Sequence, residues 1–373
     1  MSSEDLAQFV ESVTGESHLR VEDDFGDGFV RLRSAEAERR QAKHDVRSVE
    51  DIVIEMLRNA RDAHAHSIYL ATGREGNTRR LVMLDDGDGV PDHMRERIFE
   101  ARVTSKLDTV HMDTWGIHGR GMALYAIREN AKLARIQETM PAGGSSFLVE
   151  TDATKLPEKT DQSTHPAFVR TAAGTVTVRG PRNIVRTATE FAYIDRTSVQ
   201  VYMGSAIEIA ATLWAFGRSV LSKSTLAFCN DPAQLPILKR ISIAGTPEEF
   251  ADIAASLGLQ LSARSARRIM DGQIQPLQDL ASQVVIRDEN AKPPRTKKNA
   301  AIAHAADQQD DGLLHVDPRS LKIAPEDLAA FRAGVARAYA DLAEAYYLDE
   351  NVVPSVSVQK NGIRITIPVV MER

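Results

Sequence analysis

Apolar residues recur at helical spacing through DIVIEMLRNARDAHAH, residues 51–66, where Ile52, Ile54, Met56 and Leu57 run with no proline or glycine among them. The pattern predicts a helix there, preceded by a charged helix in AEAERRQAKHDVRS (35–48) and, near the start of the chain, a short one over 2–13 capped by Ser2 or Ser3. Alternation takes over around these segments. FGDGFVRLRS reads as a turn and strand, SIYLA and RRLVML as paired strands separated by GREGNT, and KLARIQETM, GGSSFLVETD and GTVTVRG as three strands of one sheet. From about Tyr202 helical periods dominate: AIEIAATLWAFGRSVL is amphipathic, and GTPEEFADIAASLG carries Thr246 as N-cap, Pro247 at the first helical position and Gly258 as the stop. Ser262 caps a second short helix bearing Arg264, Arg267 and Arg268; the pair reads either as a DNA-binding helix-turn-helix or as a helical hairpin packed on its neighbours. A long alanine-rich helix from Pro325 to about Tyr347 and a hairpin around Asn361-Gly362 close the chain.

The aperiodic stretch RDENAKPPRTKKNAAIAHAADQQDDG (287–312) is the best linker candidate, with a basic half and an acidic half. The division expected is therefore 1–190, a helical domain over 191–290, a linker or mobile loop over 291–312, and a C-terminal α/β segment over 313–373. Composition changes little in this picture: of 373 residues 43% are hydrophobic and 26% charged, enough for a sizeable core. The net charge of −6 argues against coating by nucleic acid over the whole surface but leaves room for a local basic patch. A single cysteine, Cys229, excludes an internal disulfide framework and a cysteine-rich zinc site; within TLAFC it reads as a buried structural thiol. With no secretory signal and no apolar run long enough to span a bilayer, no membrane association and a cytoplasmic location are expected.

Four polar clusters carry candidate chemistry. Glu55, Asn59 and Asp62 follow i, i+4, i+7 spacing and share one helix face, which suits them to position a water and hold a hard cation; a solvated polar stripe would read the same. Asp85-Asp86-Gly87-Asp88-Gly89 follows a strand and could be a turn, although no Glu completes a calcium loop. Thr104-Ser105-Lys106 offers two hydroxyls and a cation to phosphate oxygens, or is an ordinary polar loop. Gly116-Ile117-His118-Gly119-Arg120-Gly121 opens onto the apolar run MALYAI, where glycine turns would aim amides at a polyphosphate from a helix N-terminus.

In order and rough spacing, ExxxNxxDA, DDGDG, GIHGRG and the later Gly174-Thr175 resemble the boxes of the GHKL ATPase superfamily (DNA gyrase B, 90-kDa heat-shock chaperones, histidine kinases, MutL) over roughly residues 40–190. The resemblance implies an α+β, Bergerat-type two-layer sandwich, a mixed sheet covered by helices, followed by a helical region and a small C-terminal α/β part. It implies ATP and Mg2+ as cofactors, with Glu55 as general base, Asn59 holding the metal and Asp85 accepting the adenine amino group. Asp62, Gly87, Gly89, Thr104, Ser105, Lys106, Gly116, His118, Gly119, Arg120 and Gly121 would complete the nucleotide site, Thr175 would sit beside Asp85, and 101–115 would form a lid. Glu55 and Asp62-Ala63 are similar to the hydrolase branch, whereas DDGDGVPDHMRERIFEARVTSK is worded like a histidine kinase. His44, only 15 residues before Asn59, leaves no room for an upstream phosphoacceptor module and is read as a surface histidine. The expected function is slow Mg-dependent ATP hydrolysis acting as a conformational switch; a nucleotide-dependent scaffold with little turnover and a histidine-kinase-like signalling protein are the alternatives. A homodimer and DNA are candidate partners, DNA through Arg264, Arg267, Arg268, Lys297 and Lys298.

Overall fold

The computed structural model describes residues 21–33, 36–105, 111–113, 116–118, 121–172, 174–288, 325–346, 349, 354–359 and 362–367. The expected helix at 2–13, residues 106–110 and 114–115 of the 101–115 lid, the linker over 291–312 and its cations Lys292, Arg295, Lys297 and Lys298 lie outside these residues. The chain divides into two compact units, Met1–Pro294 and Arg295–Arg373.

The first unit opens with a hairpin, β1 (Val21–Gly26) and β2 (Phe29–Leu32), turned by Asp27 and Gly28 at φ values of 50° and 80°. Helix α1 (Glu36–Asp45) follows and leaves His44 exposed, then α2 (Val49–Asp62) begins two residues before its expected start. The earlier start has a local cause. Ser48 accepts the Asp51 amide while the Asp51 carboxylate takes the Ser48 amide at 2.9 Å, a reciprocal cap. Strands β3 (Ser67–Glu75) and β4 (Thr78–Asp85) pair in full register from Ile68–Asp85 to Glu75–Thr78. A two-residue strand β5 (Val103–Thr104) joins β2, and the short strands β6 (His111–Asp113) and β7 (Gly116–His118) form their own hairpin. After α3 (Ala123–Asn130) come β8 (Leu133–Met140) and β9 (Gly144–Asp152), which complete the central sheet.

Strands β10 (Ala167–Arg170) and β11 (Val176–Arg179) do not join that sheet. They pair with each other and, through β10, with a late strand, so the expectation that GTVTVRG continues the sheet is corrected. Helix α4 (Ile184–Ile194) and strand β12 (Gln200–Gly204) lead back to the central sheet, whose order is β12-β3-β4-β9-β8 with β12 parallel to β3 and the other pairs antiparallel. Beyond it lie α5 (Ala206–Val220), α6 (Lys223–Phe228), α7 (Pro247–Ser256), α8 (Ala263–Met270) and β13 (Ile286–Asp288), the partner of β10.

The sheet is apolar on both faces, and strand alternation shows how. Ile68, Leu70, Leu81 and Met83 point to a core shared with α2, α3 and α4. Tyr69, Ala71, Val82 and Leu84 point to a second core with Leu213, Phe250, Ile253, Ala266 and Ile269. The mixed sheet covered by helices is thus present, with helices on its second face as well. Residues from Ile209 to Ile269 supply that second layer within the first unit. Helices α7 and α8 bury their apolar sides against the sheet as a packed hairpin, while Arg264, Arg267 and Arg268 are exposed. Each fully buried side chain of α2, such as Ile52, Val53 or Leu57, contributes roughly 1.5–3 kcal/mol to holding that helix in place. Cys229 is only half-buried and its neighbour Phe228 is 80% exposed, which corrects the expectation of a buried thiol: the TLAFC run lies at the surface.

In the second unit, α9 (Pro325–Tyr346) and a hairpin of β14 (Ser355–Gln359) and β15 (Gly362–Thr366) are present as expected. Gln359 pairs with Gly362 at the inner end of the hairpin.

Candidate functional site

A cavity on the α2 face of the sheet collects most of the polar clusters singled out in the sequence. Glu55, Asn59 and Asp62 of α2, Asp85 and Gly89 at the end of β4, Thr104 and Ser105 after β5, and Gly121 before α3 all line it. Met83, Val90, Ile98 and Phe147 give it an apolar wall.

Asp85 sits at its base, 3% exposed, with Oδ1 accepting the Gly87 amide at 2.9 Å. Burial pushes its carboxyl up to about 7, against the pull of the Gly87 and Ser145 backbone hydrogen bonds. Neither glycine of the loop tolerates a side chain: a Cβ on Gly87 would fall 2.5 Å from the Ala63 carbonyl oxygen, and one on Gly89, at φ +72°, 2.1 Å from that of Met140. Asp86 has a different task, accepting the His66 and Ser67 amides at 2.7 and 2.8 Å and so fixing the loop to the start of β3. Asp88 meets His64 Nδ1 at 2.8 Å.

Across the cavity, Asn59 has Nδ2 buried without a hydrogen-bond partner. Glu55 Oε1 accepts Arg58 Nη1 at 2.6 Å, and Asp62 pairs with Arg61 Nε at 3.2 Å. The α3 helix starts at the rim with no side-chain cap on Met122, leaving its first amides to other acceptors. Arg102, at φ 62°, donates its amide to the Gly121 carbonyl at 2.9 Å and joins the two backbone segments that flank this rim.

The charged residues among the described lining are Glu55, Asp62, Asp85 and Asp88, all acids. A polyphosphate entering here needs a cation with it. No group of three or more His, Cys, Asp or Glu side chains could hold a metal among the described residues, but Mg2+ keeps most of its shell as phosphate oxygens and water and takes only one or two protein ligands. Asn59, in the cavity wall, carries an amide oxygen of the type that requirement calls for.

Some expected positions are not brought in. Thr175 lies in the turn between β10 and β11, exposed, with its hydroxyl 2.7 Å from that of Thr171. It cannot stand beside Asp85, because β11 belongs to another sheet. The place next to Asp85 is taken by Ser145 of β9, paired with Asp85 in register and 3.1 Å from the Thr139 hydroxyl. Gly144 makes this approach possible, since a Cβ there would fall 1.9 Å from the Asp85 carbonyl oxygen. The hairpin of KLARIQETM with GGSSFLVETD was the available signal: closing it puts Gly144-Ser145, not Gly174-Thr175, against the strand that ends in Asp85. Gly116 and His118 fall in β7, and Lys106, Gly119 and Arg120 lie outside the described residues.

A buried carboxylate over glycine backbone, an acid-and-amide helix face and an uncapped helix start lie together in the first unit, in the stretch that is similar to the GHKL ATPase superfamily. Residues 47–141 match the family described as histidine kinase-, DNA gyrase B-, and HSP90-like ATPase. The DNA mismatch repair protein MutL of Thermus thermophilus is 39% identical over 105 residues, 28% of this chain and 19% of that protein. MutL of Halobacterium salinarum is 28% identical over 187 residues, 49% of this chain and 28% of that protein. The chain thus spans under a third of the length of these relatives. The solved structure of full-length ShkA in complex with AMPPNP aligns over 74% of this chain and 63% of that one at 17% identity, with a TM-score of 0.22 that is too low to bear on the fold.

If Asp85 receives an adenine edge, as the resemblance implies, its carboxyl would make nucleotide affinity depend on pH. An adenine amino group donates to the ionised form, so affinity should be full above about 7 and weaken below it. Between pH 8 and pH 6 the dissociation constant for Mg·ATP should rise about tenfold, and Asp85→Asn, which follows only the ionisation of ATP itself, should lack that added dependence. For the empty protein the sign is opposite. The folded-state value stands above the ordinary value of 3.8, so the stability this group contributes is fully present below pH 3.8 and is lost as pH rises through about 7. Calorimetric titrations at both pH values check the first statement, and denaturation midpoints across the window check the second.

Proposed function

We propose that this chain binds Mg·ATP in the cavity and hydrolyses it slowly, the bound and empty states serving as a conformational switch. The observation that carries the reading is Asp85, fully buried at the base of an apolar slot and faced across it by Glu55 and Asn59 on one helix. In this reading Asp85, with Ser145 beside it, receives the adenine edge, and Gly87 and Gly89 let the base approach backbone. Thr104, Ser105 and the first amides of α3 receive phosphate oxygens. Lys106, the His118 side chain, Gly119 and Arg120 would add to this phosphate contact in the same reading. Mg2+, held by Asn59 and the phosphates, would supply charge neutralisation. Glu55 orients a water against the γ-phosphorus and accepts its proton as the bond to the bridging oxygen breaks, giving ADP and phosphate. Turnover of Glu55→Ala beside wild type tests the assignment.

One observation favours a second reading, a nucleotide-dependent scaffold with little turnover: Glu55 already engages Arg58. Measurable Mg-dependent hydrolysis in the wild type excludes it.

A second copy of the chain and DNA are the partners proposed. DNA is favoured by Arg264, Arg267 and Arg268, which are exposed along α8. Binding would be weak, indifferent to sequence and governed by counterion release. Replacing Arg267 and Arg268 by alanine should then reduce the slope of log affinity against log salt by about one to two, read by fluorescence anisotropy. Lys297 and Lys298 are expected to act in the same way. No binding at low salt, with or without an ATP analogue, would remove DNA from the reading.

A further inference from the structure

Glu55 does not meet the cavity alone. One turn along α2, Arg58 places Nη1 2.6 Å from Glu55 Oε1. The two ends of the pair differ in exposure, with the Arg58 side chain 4% exposed and that of Glu55 22%. Among the described residues Glu55 lines the cavity and Arg58 does not, so this contact reaches the site through the carboxylate.

Two features make this contact more than a surface ion pair. The other charged residues lining the cavity among those described are Asp62, Asp85 and Asp88, and a bound polyphosphate adds further negative charge, so Glu55 shares the cavity with like charges. Arginine keeps its proton under all working conditions, and its planar fork fixes direction as well as charge. A carboxylate that lost this contact would be less firmly held, and a misaligned Glu55 accepts nothing from water. Asp62 and Asp88 already have partners of their own in Arg61 and His64.

We propose that Arg58 is a positioning residue for ATP hydrolysis: it fixes the Glu55 carboxylate against the cavity and acts on the reaction through Glu55. This rests on the hydrolase reading above. It differs from the scaffold reading in sign, because there the same contact silences Glu55, whereas here it enables it.

The test is a double-mutant comparison on the full chain, with steady-state ATP hydrolysis and calorimetric Mg·ATP affinity measured for wild type, Arg58→Met, Arg58→Lys, Glu55→Gln and the Glu55→Gln/Arg58→Met pair. Arg58→Met should lower kcat by roughly 30-fold or more while KM and Kd stay within about threefold, the signature of an effect confined to the chemical step. Arg58→Lys, which keeps the buried charge but not the planar fork, should show a smaller loss of kcat with KM and Kd likewise held, and it supplies the comparison if methionine proves too disruptive to the fold. In the Glu55→Gln background, adding Arg58→Met should alter kcat by less than about twofold, because the group Arg58 acts upon is gone. An equal loss in both backgrounds would show a merely structural role and overturn the proposal, and a kcat that is unchanged or raised in Arg58→Met would overturn it in favour of a brake. Wild-type protein that binds Mg·ATP but shows no turnover above Glu55→Gln would instead overturn the hydrolase reading, and the proposal with it.

Discussion

Glu55→Ala is expected to lower ATP turnover by roughly 10²- to 10⁴-fold, the range in which a positioned general base contributes, while Mg·ATP affinity changes little. The separation of the two effects follows from geometry. Glu55 stands on the face of α2 opposite Asp85, so its removal leaves the base slot of Asp85, Gly89, Met83 and Phe147 in place. Removal also leaves Arg58 buried without its carboxylate, at some cost in stability. Glu55→Gln, which keeps an acceptor oxygen and the side-chain volume, controls for that cost. A phosphate-release assay with both variants measures the loss, and turnover equal to wild type in both would remove Glu55 from the chemistry.

Asp85→Asn carries the second large effect. The substitution replaces a buried charged acceptor with an amide whose nitrogen can face the adenine amino group donor to donor. Hydrogen bonds to charged groups contribute about 1.5–3 kcal/mol, so affinity for Mg·ATP should fall by roughly 10- to 100-fold. The fold should survive, because the asparagine side chain keeps an oxygen for the Gly87 amide, and at neutral pH the change removes a group that burial makes hard to ionise. Calorimetry at pH 8, where Asp85 is mostly ionised, gives the cleanest comparison.

How much of this was legible in the sequence depends on whether the information was local. Helix α2 and its polar face could be read directly, because periodicity and side-chain spacing lie within one element. Its true start was missed by two residues, since the reciprocal cap of Ser48 and Asp51 sits just ahead of the apolar run. The glycine loop was found, yet the distinct tasks of its three acids were not: Asp86 binds amides of a strand that begins 19 residues earlier, and only folding brings them together. Thr175 was misplaced for a similar reason. GTVTV and GGSSFLV alternate equally well, and alternation does not say which neighbour a strand takes. The choice is set by the β8–β9 hairpin, which delivers Ser145 to Asp85 before Thr175 is reached. The second helical layer was visible as helices but not as a layer. Tyr69, Val82 and Leu84 are apolar on the face away from α2, and a strand apolar on both faces requires cover on both.

The most direct measurement is a calorimetric titration of the unmodified chain with ATP in Mg2+ at pH 8, repeated with excess EDTA. The expected result is saturable binding at one nucleotide per chain in Mg2+, strongly weakened when the metal is removed, because the acids lining the cavity oppose a bare polyphosphate. Absence of saturable binding in the presence of Mg2+ would contradict the assignment of the Asp85 cavity as an ATP site.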